Sequence, residues 1–97
     1  MTVTKADVID LIAERTGVLR KDVELCFQAL IDVVTETLEK NERIEIRGLG
    51  VFKTKQRRAR IARHPKTGEK VDVPERYVPA FKPSKLLKER VEKQSSK

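Results

Sequence analysis

The pattern of hydrophobic and polar positions separates a helical first part of the chain from a β-rich second part. In the first forty residues, hydrophobic side chains recur every three or four positions, which is typical of amphipathic helices. Thr4 followed by Asp7 resembles a capping box, and Gly17 favours a helix end. We therefore expect a first helix from Thr4 to Gly17. Its apolar positions are Val8, Leu11 and Ile12.

A second helix is predicted from about Arg20 to Lys40, since the helical period continues there. Its apolar stripe is wide enough to cover both a neighbouring helix and a partner subunit. The stripe consists of Val23, Cys26, Phe27, Leu30, Ile31, Val34 and Leu38.

From Arg43 the hydrophobic period changes to two, which predicts strands. Ile44 and Ile46 alternate with charges, and the glycines of "GLG" at 48–50 predict a turn. A second strand should begin at 51–52 and continue through the basic segment. The stretch "EKVDVP" at 69–74 is its predicted return partner.

A short last strand and a final helix complete the prediction. The strand "YVPAFK" at 77–82 contains Pro79, which favours an edge or a bulge because proline cannot donate to a ladder. Ser84 is a suitable cap for a helix ending near residue 93. We therefore divide the single domain 1–97 into a helical dimerisation body (1–42), a β-sheet with an arm at about 53–75 (43–83), a C-terminal helix (84–93) and a tail (94–97).

The basic segment is too long to be folded inside so small a chain. Eleven extended residues, 53–63, span about 36 Å at roughly 3.3 Å each, whereas a compact chain of this length has a radius of gyration of about 12–13 Å. We therefore expect a projecting two-stranded arm, with Pro65 near the turn at its tip. Isolated ribbons are marginally stable, so the arm should be mobile until it meets a partner.

Composition changes this picture by indicating a shared core. The chain has 97 residues and is 38% hydrophobic and 38% charged, and a small chain buries a small fraction of its surface. An obligate dimer would supply the missing core. The expected core residues are Phe27, Leu30, Ile31, Val34, Leu38, Ile44, Ile46, Leu49, Phe52 and Phe81.

The net charge of +7 is concentrated in the predicted arm. Residues 1–52 contain seven Lys/Arg and ten Asp/Glu, whereas residues 53–70 contain eight Lys/Arg and one Asp/Glu. This asymmetry is typical of a nucleic-acid-binding protein. The arm also lacks the exposed aromatic residues that stack on single-stranded bases, which argues against an RNA-binding or ribosomal accessory protein.

Several other classes of protein are disfavoured. Cys26 and His64 are the only Cys and His, so a metal site or an internal disulfide is not expected. The acidic residues do not converge with a nucleophile, and the glycines at 48 and 50 precede a strand rather than a phosphate-binding helix. No apolar run exceeds three residues, so neither a transmembrane helix nor the core of a signal peptide is expected. We expect a cytoplasmic, non-enzymatic protein without a cofactor.

The segments "RGLGVF" and "FKPSKLLKERV", together with the basic arm, resemble the bacterial histone-like DNA-bending family of HU and integration host factor. The resemblance extends over residues 3–92. It implies an α+β fold, in which two subunits form an intertwined dimer with a helical body, a small antiparallel sheet and one long β-ribbon arm per subunit. The arms of this family enter the minor groove of duplex DNA and bend it.

The resemblance also implies roles for individual residues. Pro65 matches the proline that wedges between base pairs, and Lys82 and Lys85 match basic positions on the flank of the body, with Lys5 a further phosphate contact. His64 stands where Asn is usual and Ala62 where Gly is usual, and we assign His64 to the contact surface as an exposed polar residue. The predicted DNA-binding residues are Lys5, Lys53, Lys55, Arg57, Arg58, Arg60, Arg63, His64, Pro65, Lys66, Lys70, Lys82 and Lys85.

Two functions within this family remain open at the level of sequence. One is a homodimer, or half of a heterodimer, that bends or compacts DNA largely without sequence specificity, since the minor groove mainly distinguishes A·T from G·C. The other is a site-specific bender of the integration-host-factor type. Binding of the arm to an acidic protein partner is the least favoured alternative.

Overall fold

The computed structural model describes residues 1–95, in which two helices precede five strands and a third helix follows them. The elements are α1 (Lys5–Thr16), α2 (Arg20–Glu39), β1 (Ile44–Ile46), β2 (Gly50–Arg57), β3 (Arg60–Arg63), β4 (Lys70–Val73), β5 (Arg76–Pro83) and α3 (Lys85–Ser95). The expected α+β class is confirmed. The predicted tail begins too early, because Gln94 and Ser95 belong to α3; residues 96 and 97 lie outside the described residues.

Helix α1 has the end structures that its sequence predicts. Thr4 Oγ1 accepts a hydrogen bond from the Asp7 backbone N–H at 3.3 Å, and the Asp7 carboxylate accepts one from the Thr4 N–H at 3.0 Å. The hydrogen bond that the Thr4 N–H donates to the Asp7 carboxylate, with a smaller contribution from the Thr4 side chain, holds the pKa of Asp7 below its ordinary value. Gly17 ends the helix in the left-handed conformation, with φ +75°.

The inner face of α1 differs from the expected one. Ile9 is buried, with 2% of its surface exposed, whereas Leu11 is 46% exposed. Val8 and Ile12 are half-buried beside Ile9. The inner face therefore includes Ile9, which the predicted stripe omits, and leaves out Leu11, which the stripe includes.

The chain divides into two compact units, Met1–Glu36 and a second unit that begins at Thr37. In the first unit, Ile9 and Val23 are buried. An open groove there is lined by Ile12, Thr16, Val18, Asp22, Val23, Cys26, Phe27 and Leu30. Leu30 is 46% exposed in this single chain. No helix of residues 1–95 has the length and apolar character needed to cross a membrane.

In the second unit, the strands form one three-stranded sheet in the order β1-β2-β5 and one two-stranded sheet of β3 and β4. All pairs are antiparallel. The last pair between β1 and β2 is Ile44↔Phe52, so from Lys53 onward β2 pairs with β5 alone. Pro79 lies on β5 at the edge of the sheet, as predicted, because an edge strand leaves one side of its backbone unpaired.

Gly50 allows β2 and β5 to approach closely where β2 begins. Its φ is +154°, and a Cβ at this position would meet the Lys82 carbonyl oxygen and would lie 2.7 Å from Cε1 of the Phe81 ring. The Phe81 ring packs against Phe52, with centroids 4.9 Å apart and planes tilted by 43°. Ser84 then caps α3, since its Oγ accepts a hydrogen bond from the Leu87 N–H at 3.1 Å.

Candidate nucleic-acid interface

The register of β2 and β5 sorts their side chains onto two chemically different faces. Directly opposite residues share a face and successive residues alternate between faces. One face carries Phe52↔Phe81, Thr54↔Pro79 and Gln56↔Tyr77, whereas the other carries the cations. The pairs on the cationic face are Val51↔Lys82, Lys53↔Ala80, Lys55↔Val78 and Arg57↔Arg76.

The second strand does not run unbroken through the basic segment, contrary to the sequence prediction. The ladder stops after Arg57↔Arg76 and resumes at Arg60↔Val73, which leaves Arg58, Ala59, Pro74 and Glu75 outside both sheets. Pro74 has no N–H to donate to a ladder, which accounts for a break at this place. The predicted last strand is also too short, since β5 extends from Arg76 to Pro83.

The interruption does not shift the register of the ribbon. Continuing the β2–β5 pairing past Arg57↔Arg76 places Arg58 opposite Glu75 and Ala59 opposite Pro74, and the next pair is then the observed Arg60↔Val73. Arg57 belongs to β2, Arg60 and Arg63 lie on opposite faces of β3, and Arg58 lies in the gap between the two strands. All four side chains are exposed.

A hydrogen-bonded turn closes the ribbon at its tip. The Gly68 N–H donates to the His64 carbonyl and the His64 N–H donates to the Glu69 carbonyl, each at 2.8 Å. The His64 Nδ1 accepts a hydrogen bond from the Lys66 N–H at 3.2 Å. Pro65 lies within this turn and is exposed, as are its basic neighbours Lys66 and Lys70. The structure thus places a proline on the surface between two cationic strands.

The remaining predicted residues lie on the bodies of the two units. Lys82 and Lys85 line one concave surface together with Arg47, which the sequence prediction does not include. Lys85 also makes an exposed ion pair with Glu89 at 4.0 Å. In the first unit, the Lys5 ammonium donates a hydrogen bond to Gln28 Oε1 at 2.5 Å. Lys5 is exposed, and all the predicted DNA-binding residues are exposed except Lys53, which is half-buried.

Arg76 is a second cation that the sequence prediction misses. It follows the predicted return strand and precedes the predicted last strand, so the sequence pattern assigns it to a loop. The alternation of β5, with Arg76, Val78, Ala80 and Lys82 on one face, is the pattern that identifies it in retrospect.

Metal-ligating side chains are not gathered together in the described part of the chain. Among residues 1–95, no three His, Cys, Asp or Glu side chains form a group that could hold a metal ion. The arrangement that stands out is an antiparallel ribbon with arginines on both faces and an exposed proline at its tip. Such a ribbon fits a polyanion with a groove.

This fold and this surface define a small DNA-binding protein of the bacterial histone-like type, and the family comparison agrees. The family model described as "Bacterial DNA-binding protein" matches residues 3–92. The chain belongs to this family, which includes HU and integration host factor.

Curated relatives come from both branches of the family. The integration host factor subunit beta of Neisseria meningitidis serogroup B is 48% identical over 95 residues, which cover 92% of this chain and 91% of the relative. The DNA-binding protein HU of Thermus thermophilus is 42% identical over 92 residues, which cover 95% of each.

Solved structures show the same fold. The HU of Anabaena in a cocrystal with DNA superposes with a TM-score of 0.86 at 33% identity, covering 91% of this chain and 96% of that one. The HU of Thermotoga maritima gives a TM-score of 0.65 at 32% identity, covering 91% and 97%. The resemblance stated from the sequence is therefore confirmed.

Proposed function

We propose that this protein bends and compacts duplex DNA as a homodimer, with its ribbon arms in the minor groove and largely without sequence specificity. The observation that carries this proposal is the exposed Pro65 at the tip of a two-stranded cationic ribbon. The protein acts at the nucleoid and catalyses no reaction. The HU of Anabaena, which was crystallised with DNA, supports the choice of ligand.

Each cation placed near a phosphate releases condensed counterions, which gives affinity independent of sequence. Arginine is also attracted to the negative potential of a narrow minor groove. The exposed arm arginines Arg57, Arg60 and Arg63 supply this attraction on both faces of the ribbon. Phosphate neutralisation does not itself unstack a base step.

Pro65 supplies the bending step in our proposal. Its ring is apolar, rigid and without an N–H, so its insertion between base pairs buries no unsatisfied donor. Unstacking one base step costs a few kcal/mol, which is offset by contacts between the bent DNA and the protein body. Lys82 and Lys85 on the body of the second unit, and Lys5 on the first, are the proposed sites of those contacts.

The homodimer is supported by the incomplete core of the single chain. Within residues 1–95, Ile9 and Val23 are the buried hydrophobic side chains. Leu30 on α2, Phe81 on β5 and Leu49 in the turn before β2 are each 40–46% exposed, and these large apolar side chains could be covered by a partner subunit. The ten residues assigned above to a shared core are all half-buried or exposed in this chain.

The wedge is tested by replacing Pro65 with Ala and measuring the bend of a short duplex by energy transfer between its ends. The bend angle should fall, and the preference for gapped or kinked DNA should fall more than the affinity for intact duplex. Pro79→Ala is the matched control, because Pro79 is an exposed proline in the same ribbon but not at its tip. Equal bend angles for the wild type and Pro65→Ala would refute the wedge.

A second candidate is a site-specific bender, which the curated relatives named integration host factor subunit beta favour. In that case the partner is a second, related chain. Competition between a candidate site and random DNA at fixed salt distinguishes the two, since specific binders typically favour their sites by about 10³-fold or more. Folded RNA is used as a third competitor at the same salt concentration, and tighter binding to RNA would overturn both candidates.

A further inference from the structure

The β2–β5 ladder ends on two arginines that face each other. Arg57 and Arg76 form its last pair before the interruption. Directly opposite residues of an antiparallel ladder have Cβ atoms about 4.5–5.5 Å apart and share a face. Two positive charges therefore lie side by side in the ribbon.

No acidic side chain neutralises this pair in the described part of the chain. Neither arginine belongs to an ion pair within residues 1–95. The Glu75 carboxylate accepts a hydrogen bond from Gln56, which lies on the other face of β2 from Arg57. Asp72 lies beyond the interruption, four residues from Arg76, about 13 Å at roughly 3.3 Å per residue.

The two arginines also share a concave surface at the interruption. The residues that line it are Arg57, Arg58, Ala59, Arg60, Val73 and Arg76, and none of them is acidic. A guanidinium group binds phosphate oxygens through two parallel N–H donors, so two adjacent guanidinium groups suit one phosphate. Like charges directly opposite in a ladder are unfavourable without such an anion.

We propose that Arg57 and Arg76 together bind one backbone phosphate of the duplex at the base of the arm. Arg76 thereby becomes a DNA-binding residue. The bound phosphate neutralises two positive charges that face each other in the free protein. This inference rests on the proposed function, because it names one contact of the same interface.

The test compares Arg57→Gln, Arg76→Gln, the double variant and Arg90→Gln. Arg90 is exposed on α3, so its variant loses the same charge at another place. Affinity for a random duplex is measured by fluorescence anisotropy between about 50 and 200 mM salt. Thermal unfolding of each free variant is measured in parallel.

Arg76→Gln should weaken binding by roughly tenfold or more at low salt, since a charge-assisted hydrogen bond is lost. Arg90→Gln should stay within about twofold of the wild type. The measured quantity is the slope of log affinity against log salt concentration. If one phosphate is shared, the double variant should reduce the magnitude of this slope by about 0.9 per arm, whereas two separate phosphates would reduce it by about 1.8. The free Arg76→Gln protein should melt no lower than the wild type, because the substitution removes the repulsion between Arg57 and Arg76.

The inference is overturned if Arg76→Gln binds with the affinity and salt slope of Arg90→Gln, or if the double variant shows the larger loss of slope. It is equally overturned if Arg76→Gln binds weakly only because it has unfolded, which the melting curve reports. A wild-type protein without salt-dependent duplex binding would instead refute the proposed function itself.

Discussion

The imidazole of His64 accepts a hydrogen bond from the backbone N–H of Lys66, across 3.2 Å from nitrogen to nitrogen. The acceptor is two residues before the donor, which is the pattern that an Asn side chain forms in an Asx-turn. His64 thus supports the turn that presents Pro65. The departure from the usual Asn of the family therefore preserves the local hydrogen bond.

The first prediction concerns this hydrogen bond. His64→Ala should open the tip turn more often, and tryptic cleavage after Lys66 should become about 2–10 times faster, because a hydrogen bond contributes roughly 0.5–1.5 kcal/mol. His64→Asn should cleave at close to the wild-type rate, because its side-chain oxygen can accept the same N–H. Indistinguishable rates for the Ala and Asn variants would show that the imidazole does not hold the turn.

The second prediction concerns the interruption at Pro74. Pro74→Thr restores a backbone N–H opposite Ala59 and should extend pairing across the gap. Hydrogen–deuterium exchange at residues 58–59 should then slow. Pro79→Thr is the control, since Pro79 already lies within a complete ladder on an edge strand. Unchanged exchange in Pro74→Thr would mean that the missing N–H is not the cause of the gap.

The third prediction concerns the close approach at Gly50. Gly50→Ala should reduce the free energy of unfolding by at least about 2 kcal/mol, because the new methyl group meets the Phe81 ring and the Lys82 carbonyl. Gly48→Ala should cost only about 1 kcal/mol, because its φ is +87° and no atom lies within 4 Å of its Cβ position. Urea denaturation measures both values, and equal losses would contradict a steric cause.

The fourth prediction concerns the pH dependence of α1. The pKa of Asp7 is lowered by its hydrogen bonds with Thr4, so its carboxylate stabilises the folded state when it is charged. The stability difference between the wild type and Asp7→Ala should be fully present at neutral pH. It should shrink as the pH falls through the ordinary aspartate pKa and vanish below the lowered one. Urea unfolding at a series of pH values measures it, and a constant difference would exclude the capping box as its source.

The sequence predicts most elements because their determinants are local. Thr4, Gly17 and Ser84 each act within a few residues of their position, and all three have the capping roles that their types favour. The alternation around Ile44 and Ile46 likewise predicts a strand without knowledge of its partner. These parts of the fold depend on neighbours along the chain.

The parts that sequence reasoning misses depend on pairing across strands. Whether Arg76 faces Arg57 is decided by the β2–β5 register, which no local pattern in the basic segment specifies. The break in the ribbon arises because Pro74 stands opposite Ala59, a relationship between residues fifteen positions apart. The burial of Ile9 depends in the same way on packing within the helical unit.

The unchanged register across the interruption restricts how the length of the arm can vary. Removing or adding one residue in a single strand at the gap would leave the two strands unequal in length there. The β3–β4 ladder could then no longer follow the β2–β5 ladder at the same register, and a bulge would have to take up the difference. Matched changes of two residues in both strands would instead lengthen or shorten the arm and leave each cation on its own side.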